Sequence, residues 1–202
     1  MYMKIIRTRL EDLYLRKKSS ASHIAKKYKV SENKINYWLK KYNIPKRSIS
    51  EAIYVKANPL GDPFTSAKPK SKEEWFLHGL GLGLYWGEGT KSNKHSVRLG
   101  NTDPALVVKF LEFLERIYKI ERKKLKFGLQ IFGDLNPGEV LSYWKKILRV
   151  SPDKFQKVIN TPARGVGLYK NKVKYGVLTI YYNNKKLRDI LNSEIEKLGR
   201  IY

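Results

Sequence analysis

The chain has 202 residues, with 42 Lys plus Arg against 18 Asp plus Glu, a formal charge of +24 at pH 7, and 42% of its residues are hydrophobic. This length and apolar content suit one or two domains with a real core, and basic residues spread along the whole chain point to a polyanionic partner, since each neutralised phosphate releases condensed counterions. The absence of cysteine excludes a disulfide frame, a thiolate zinc site and a cysteine nucleophile; no apolar run approaches the roughly 20 residues of a membrane span, and MYMKIIRTRL carries no secretory signal, so a cytoplasmic, nucleoid-associated protein is expected.

Residues 8–42 read as three short helices. The first, 8–16, carries Leu10, Leu13 and Tyr14 on one face, and the second, 20–28, turns Ile24 and Ala25 inward. Lys29-Val30 turns the chain, and Ser31 supplies an N-cap hydroxyl for a third helix reaching residue 42. There Ile35, Trp38, Leu39 and Tyr42 share one face at helical periodicity, while Asn33, Asn36, Tyr37 and Lys40 occupy the opposite one. HIAKKYKVSENKINYWLKKYNI resembles a helix-turn-helix, with small Ala25 where two helices cross and Val30 plugging the turn. The resemblance implies a recognition helix in the major groove, its asparagines reading adenine and Lys40 meeting phosphate. Lys29 stands where many such turns have glycine, at a cost of about 1 kcal/mol for a left-handed non-glycine residue.

Residues 43–72 lose helical periodicity and gather Pro45, Pro59, Pro63 and Pro69 with Gly61. The composition predicts a helix-turn-helix domain over 1–48, a basic proline-containing linker over 49–70, and an α+β domain over 71–202. Within 43–72, PKRSIS reads equally as a basic arm along a phosphate backbone and as a solvated tether.

Ser71 and Glu74 have capping-box spacing and start a new helix. In WFLHGLGLGLYWGEGT, Gly79, Gly83 and Gly87 recur every four residues and share one helix face. Each costs about 1 kcal/mol relative to alanine in a helix interior, so the series predicts close helix-to-helix packing, with Gly89 as a left-handed cap. Glu88 faces the negative end of the helix dipole, which is unfavourable unless a metal ion or a nearby lysine offsets it.

GLGLYWGEG resembles the LAGLIDADG motif, a small-residue packing helix that ends in an acid between glycines. In that family two such helices pack at the centre of a DNA-binding saddle, and their terminal carboxylates hold divalent metal ions at the scissile phosphates. The resemblance, which covers residues 73–199 approximately, implies Glu88 as catalytic residue and metal ligand beside the Gly87 carbonyl. The metal would be Mg²⁺, a hard cation that carboxylates suit.

Downstream, RLGNTDPALVVKFLEFLERIYKI reads as a strand, a polar corner and a helix. Asp103 caps that helix, Pro104 takes its first position, and Phe110, Leu111, Leu114, Ile117 and Tyr118 form its inward stripe. Residues 124–132 alternate as a strand, Asn136 starts a helix, SPDKFQKVIN leads into another strand, and TPARGVGLYKNK forms a basic loop. VKYGVLTIYY alternates as a last strand before a helix over 184–198. Two helix-strand-strand-helix units, 73–118 and 136–199, are therefore expected, sharing a saddle-shaped antiparallel sheet. If LSYWKK aligns with LYWGEG, Lys146 replaces the acid. A pseudo-symmetric monomer would then own one carboxylate, whereas a homodimer pairing the Gly79-Gly83-Gly87 faces would bring two. TKSNKHSV leaves little room for the first strand of the saddle.

Three readings stay open. They are a Mg²⁺-dependent DNA endonuclease, a non-catalytic helix-turn-helix transcriptional regulator on a degenerate LAGLIDADG fold, and an RNA-binding intron-splicing factor. The expected contacts with double-stranded DNA are Asn33, Asn36, Tyr37, Lys40, Lys41, Lys46, Arg47, Lys91, Lys94, Arg98, Arg164 and Lys170. His23, His78 and His95 show no metal-ligand spacing and are assigned structural or solvated roles.

Overall fold

Serine, asparagine and aspartate side chains start most of the helices, each accepting a first-turn N–H that no helical carbonyl can reach. The computed structural model describes residues 5–133, 135–162 and 173–200, and the chain divides into two units, Met1–Pro63 and Phe64–Tyr202.

In the first unit, helix α1 (Arg7–Glu11) runs directly into one π-helical stretch, Asp12–Arg16. Ser20 caps α2 (Ala21–Tyr28) and Ser31 caps α3 (Glu32–Lys41). Between them Lys29 takes the left-handed conformation, φ 53°. Ile5, Leu10, Leu13, Tyr14, Ile24, Ala25, Ile35, Leu39 and Ile44 form a small core. Trp38 and Tyr42 stay half-buried at its edge with ring centroids 5.2 Å apart. The first part of the stretch expected to be linker is helical: Ser48 and Glu51 make a reciprocal capping box and start α4 (Ile49–Ala57). Reciprocal capping satisfies two orphan donors, so α4 forms although it buries none of its side chains.

The second unit holds α5 (Lys72–Glu88), β1 (Val97–Asn101), α6 (Pro104–Arg116), β2 (Lys126–Phe132), α7 (Pro137–Leu148), β3 (Ile159–Thr161), β4 (Val177–Tyr182) and α8 (Lys185–Gly199). Ser71, Asp103, Asn136 and Asn184 cap α5, α6, α7 and α8. The strands form one four-stranded sheet in the order β1-β4-β2-β3. β4 is antiparallel to both β1 and β2, but β2 and β3 run parallel. An all-antiparallel saddle is thus corrected to a mixed sheet, because helix α7 carries the chain from β2 back to the starting end of the sheet, and such a crossover delivers a parallel strand. Two equivalent halves are not found among the described residues either. β4 inserts between β1 and β2, so the two strands of the second expected unit, β3 and β4, are not neighbours. The anticipated short first strand is reduced to a bridge between Gly89 and Leu99.

Alternate residues of β1, β2 and β4 pack under the helices: Val97, Leu99, Phe127, Leu129, Ile131, Leu178, Ile180 and Tyr182 are all buried, together with Phe110, Phe113 and Leu114 of α6, Trp144 of α7 and Leu187 and Leu191 of α8.

The glycine expectation needs correction. A Cβ added at Gly79, Gly83 or Gly87 would meet nothing within 4 Å, so among the described residues their face of α5 is bare. The close approach is made by Gly81, where a Cβ would stand 2.1 Å from the Phe113 ring. Gly81 lies on the same side as Leu77 and Tyr85, the side that α6 covers. Gly89 is extended, φ −71°, not left-handed. Glycine is needed there for space, because a Cβ would stand 2.3 Å from the Tyr85 carbonyl oxygen.

Candidate nucleic-acid interface

On α3, the buried Ile35 and Leu39 direct the opposite side outward, where Asn33, Tyr37 and Lys40 are exposed and Asn36 is half-buried. Lys41 is exposed with its ammonium 4.7 Å above the Trp38 ring, and Lys46 is exposed in the turn that follows. Arg47 has a different position. Its guanidinium lies 4.1 Å from the Tyr14 ring centroid and donates to the backbone carbonyls of Ser19 (2.9 Å) and Tyr14. The Arg47 N–H in turn donates to the Tyr14 hydroxyl at 3.1 Å. Arg47 is therefore a clamp within the first unit, where a phosphate contact had been expected. Arg47→Ala should lower the stability of that unit by about 1–3 kcal/mol, the sum of a cation–π contact and two hydrogen bonds. Thermal melts check this; a fall below about 1 kcal/mol would mean that the clamp contributes little.

In the second unit, the sheet face away from the helices carries Arg98 and Gly100 on β1, Thr179 and Tyr181 on β4, and Lys126, Gly128 and Gln130 on β2, none of them buried. The register sets them in rows. Arg98 pairs with Tyr181, which pairs with Lys126; Gly100 pairs with Thr179, which pairs with Gly128. The Tyr181 ring lies across Gly128, since a Cβ there would be 2.8 Å from it, and the Arg98 guanidinium is 5.2 Å from the ring centroid. Gln130 donates to the Thr161 hydroxyl at 3.0 Å. The result is a low surface with two cations and an aromatic ring, of a kind that lets a polymer backbone approach.

The turn between α5 and β1 sits at the end of this face. Asn93 Oδ1 accepts from the N–H groups of His95 and Ser96 and from the Ser96 hydroxyl, 2.9–3.0 Å. Arg188 of α8 donates to the carbonyls of Lys91 (2.8 Å) and Asn93 (3.2 Å). Lys91 and Lys94 project from this braced turn as exposed residues. The Lys91 ammonium donates to the Trp86 carbonyl, so a lysine supplies the counter-charge that the C-terminal end of α5 requires. Glu88 is exposed at that end. No group of three or more His, Cys, Asp or Glu able to hold a metal exists among the described residues. Among the described residues, Glu88 is therefore not part of such a group.

His78 serves packing: its Nε2 is 2.9 Å from Glu194 of α8, which also accepts from the Tyr118 hydroxyl at 3.1 Å. Arg164 and Lys170 lie outside the described residues. Sequence reading missed Lys126, Gln130, Thr179, Tyr181 and Arg188. The first four were accessible from strand alternation, being out of phase with the buried Phe127, Leu129, Leu178 and Ile180. Arg188 gave no local signal, since its partners lie far away in the chain. Among the described residues no helix is long and apolar enough to cross a membrane. No known family model, curated protein or solved structure matches this chain.

Proposed function

We propose that the protein is a sequence-specific double-stranded DNA-binding protein, with α3 as a recognition helix and the uncovered sheet face as a second contact surface. The observation that carries this reading is the sheet face itself: Arg98, Lys126, Gln130, Thr179 and Tyr181 share it, none buried, in a chain of charge +24. A sheet face that serves only stability would be covered or neutral; a basic, hydrogen-bonding one suits a polyanion whose groove edges are read by donors and acceptors. The glycine-rich α5 ending in Glu88 favours a LAGLIDADG-like second unit joined to a helix-turn-helix, the combination seen in that family's regulators, while the short bridge in place of a first strand departs from that family's long DNA-reading strand.

A second reading has one observation in its favour. The bare Gly79-Gly83-Gly87 face of α5, flanked by the exposed Phe76, suits a second copy of the same helix, and such a pair would bring two Glu88 carboxylates together. That homodimer would be the form able to hold Mg²⁺ and cut DNA.

Selection of duplexes from a random library, with Mg²⁺ or EDTA and with wild type and Glu88→Gln in parallel, tests both. The expected result is an enriched motif, an affinity that falls steeply with salt, and intact DNA under all conditions. Cuts at a fixed offset that need Mg²⁺ and vanish in Glu88→Gln would establish the nuclease. Folded RNA outcompeting duplex DNA would overturn DNA as the partner.

A further inference from the structure

Of the two cations on the sheet face, Arg98 is held from its own side of the sheet, whereas Lys126 is exposed. The Arg98 Nε donates to the Ser96 hydroxyl at 2.8 Å, and Ser96, 1% exposed, donates onward to Asn93 Oδ1 at 2.9 Å. The guanidinium is further placed by the Tyr181 ring 5.2 Å away, and Tyr181 keeps its own position because Gly128 has no side chain. Asn93 is itself fixed by Arg188 through its carbonyl. Charge neutralisation of a phosphate alone does not require a braced side chain, since phosphate contacts position the protein without reading sequence. The chain Arg188–Asn93–Ser96–Arg98 instead fixes the plane of a fork. With Nε occupied by Ser96, the terminal nitrogens Nη1 and Nη2 carry the outward donors, the pair that bonds guanine O6 and N7 in the major groove. Arg98 lies on β1, the edge strand of the four-stranded sheet, and Tyr181 on its neighbour β4, so this edge of the face is the part that can approach base edges in a groove.

We propose that Arg98 is a base-reading residue specific for guanine, oriented by Ser96 and Tyr181, and not a phosphate contact. The assignment rests on the DNA-binding reading above. Ordering the fork before binding lowers the entropy lost on forming the two bonds, so the brace contributes to discrimination more than to overall affinity.

The test compares wild type, Arg98→Lys, Arg98→Ala and Ser96→Ala in duplex selection, with salt titrations on one selected and one random duplex. Wild type should enrich guanine at a fixed position, with about 10- to 100-fold discrimination against other bases there. Arg98→Lys should lose that preference alone, while its affinity for random duplex and its salt slope match wild type. Ser96→Ala should weaken the same preference by a smaller factor at unchanged salt slope. If Arg98→Lys keeps the wild-type motif, and Arg98→Ala weakens binding to every sequence and lowers the salt slope by about one, Arg98 is a phosphate contact and the assignment fails. Absence of any duplex binding by wild type overturns the proposed function and this assignment with it.

Discussion

Trp144→Ala should destabilise the second unit by about 3–5 kcal/mol, the range for removing a large aromatic from a core. Trp144 is fully buried, and its indole N–H donates to the Tyr175 carbonyl at 2.7 Å. Truncation leaves a cavity between α7 and the sheet and also takes the donor from that carbonyl, a further cost of about 1 kcal/mol. Tyr175 stacks on Tyr143 with ring centroids 3.6 Å apart, so the loss extends to the segment leading into β4. Thermal unfolding followed by circular dichroism should show the midpoint of this unit falling by roughly 10 °C or more. A fall of less than a few degrees would mean that α7 contributes little to the core.

The glycines of α5 should respond in opposite directions. Gly81→Ala places a methyl group 2.1 Å from the Phe113 ring. Phe113 is itself fully buried among Phe110 and Tyr118 and has little room to retreat, so overpacking should cost about 1–3 kcal/mol, more than the roughly 1 kcal/mol gained from alanine's helix propensity. At Gly83 an added methyl group meets nothing, and Gly83→Ala should stabilise the isolated chain by about that same 1 kcal/mol. Denaturant midpoints measure both. If α5 pairs with a second copy along its glycine face, Gly83→Leu should also dissociate that pair in sedimentation while leaving the chain folded. An unchanged mass distribution would remove the homodimer from consideration.

Helix starts were legible because capping is local: Ser31, Ser71, Asp103, Asn136 and Asn184 each lie within three residues of the amide they satisfy. The same rule, applied to Ser48 and Glu51, would have revealed α4 beneath its proline-rich surroundings. Inward stripes were legible where they repeat, as in Phe110, Leu111 and Leu114. The packed face of α5 was not, because glycines every four residues mark a face without saying what covers it. Gly81 carried the answer through its neighbours Leu77 and Tyr85, four residues to either side. Strand pairing and the direction of β3 depend on residues distant in sequence, and alternation alone does not report them. At the site, lysines and arginines could be counted but not ranked. Only the structure separates the clamped Arg47, the helix-capping Lys91 and the braced Arg98.

The strand order also governs how the protein is made. β4 joins β1 to β2, yet it follows both in the chain, with Val97 waiting for Tyr182 and Phe127 for Ile180. At about 5–20 residues per second of synthesis, β1 remains without that neighbour for on the order of ten seconds. During that interval the nascent chain shows the apolar faces of β1 and β2 and the open hydrogen-bonding edges that β4 will later occupy, a state prone to pairing with other chains. The first unit faces no such delay, because α2 and α3 are adjacent in sequence and close on each other as soon as both emerge. A ribosome-bound chain thus presents a finished helical first unit ahead of an unfinished sheet, and chains halted before Val177 should be found in aggregates and with chaperones.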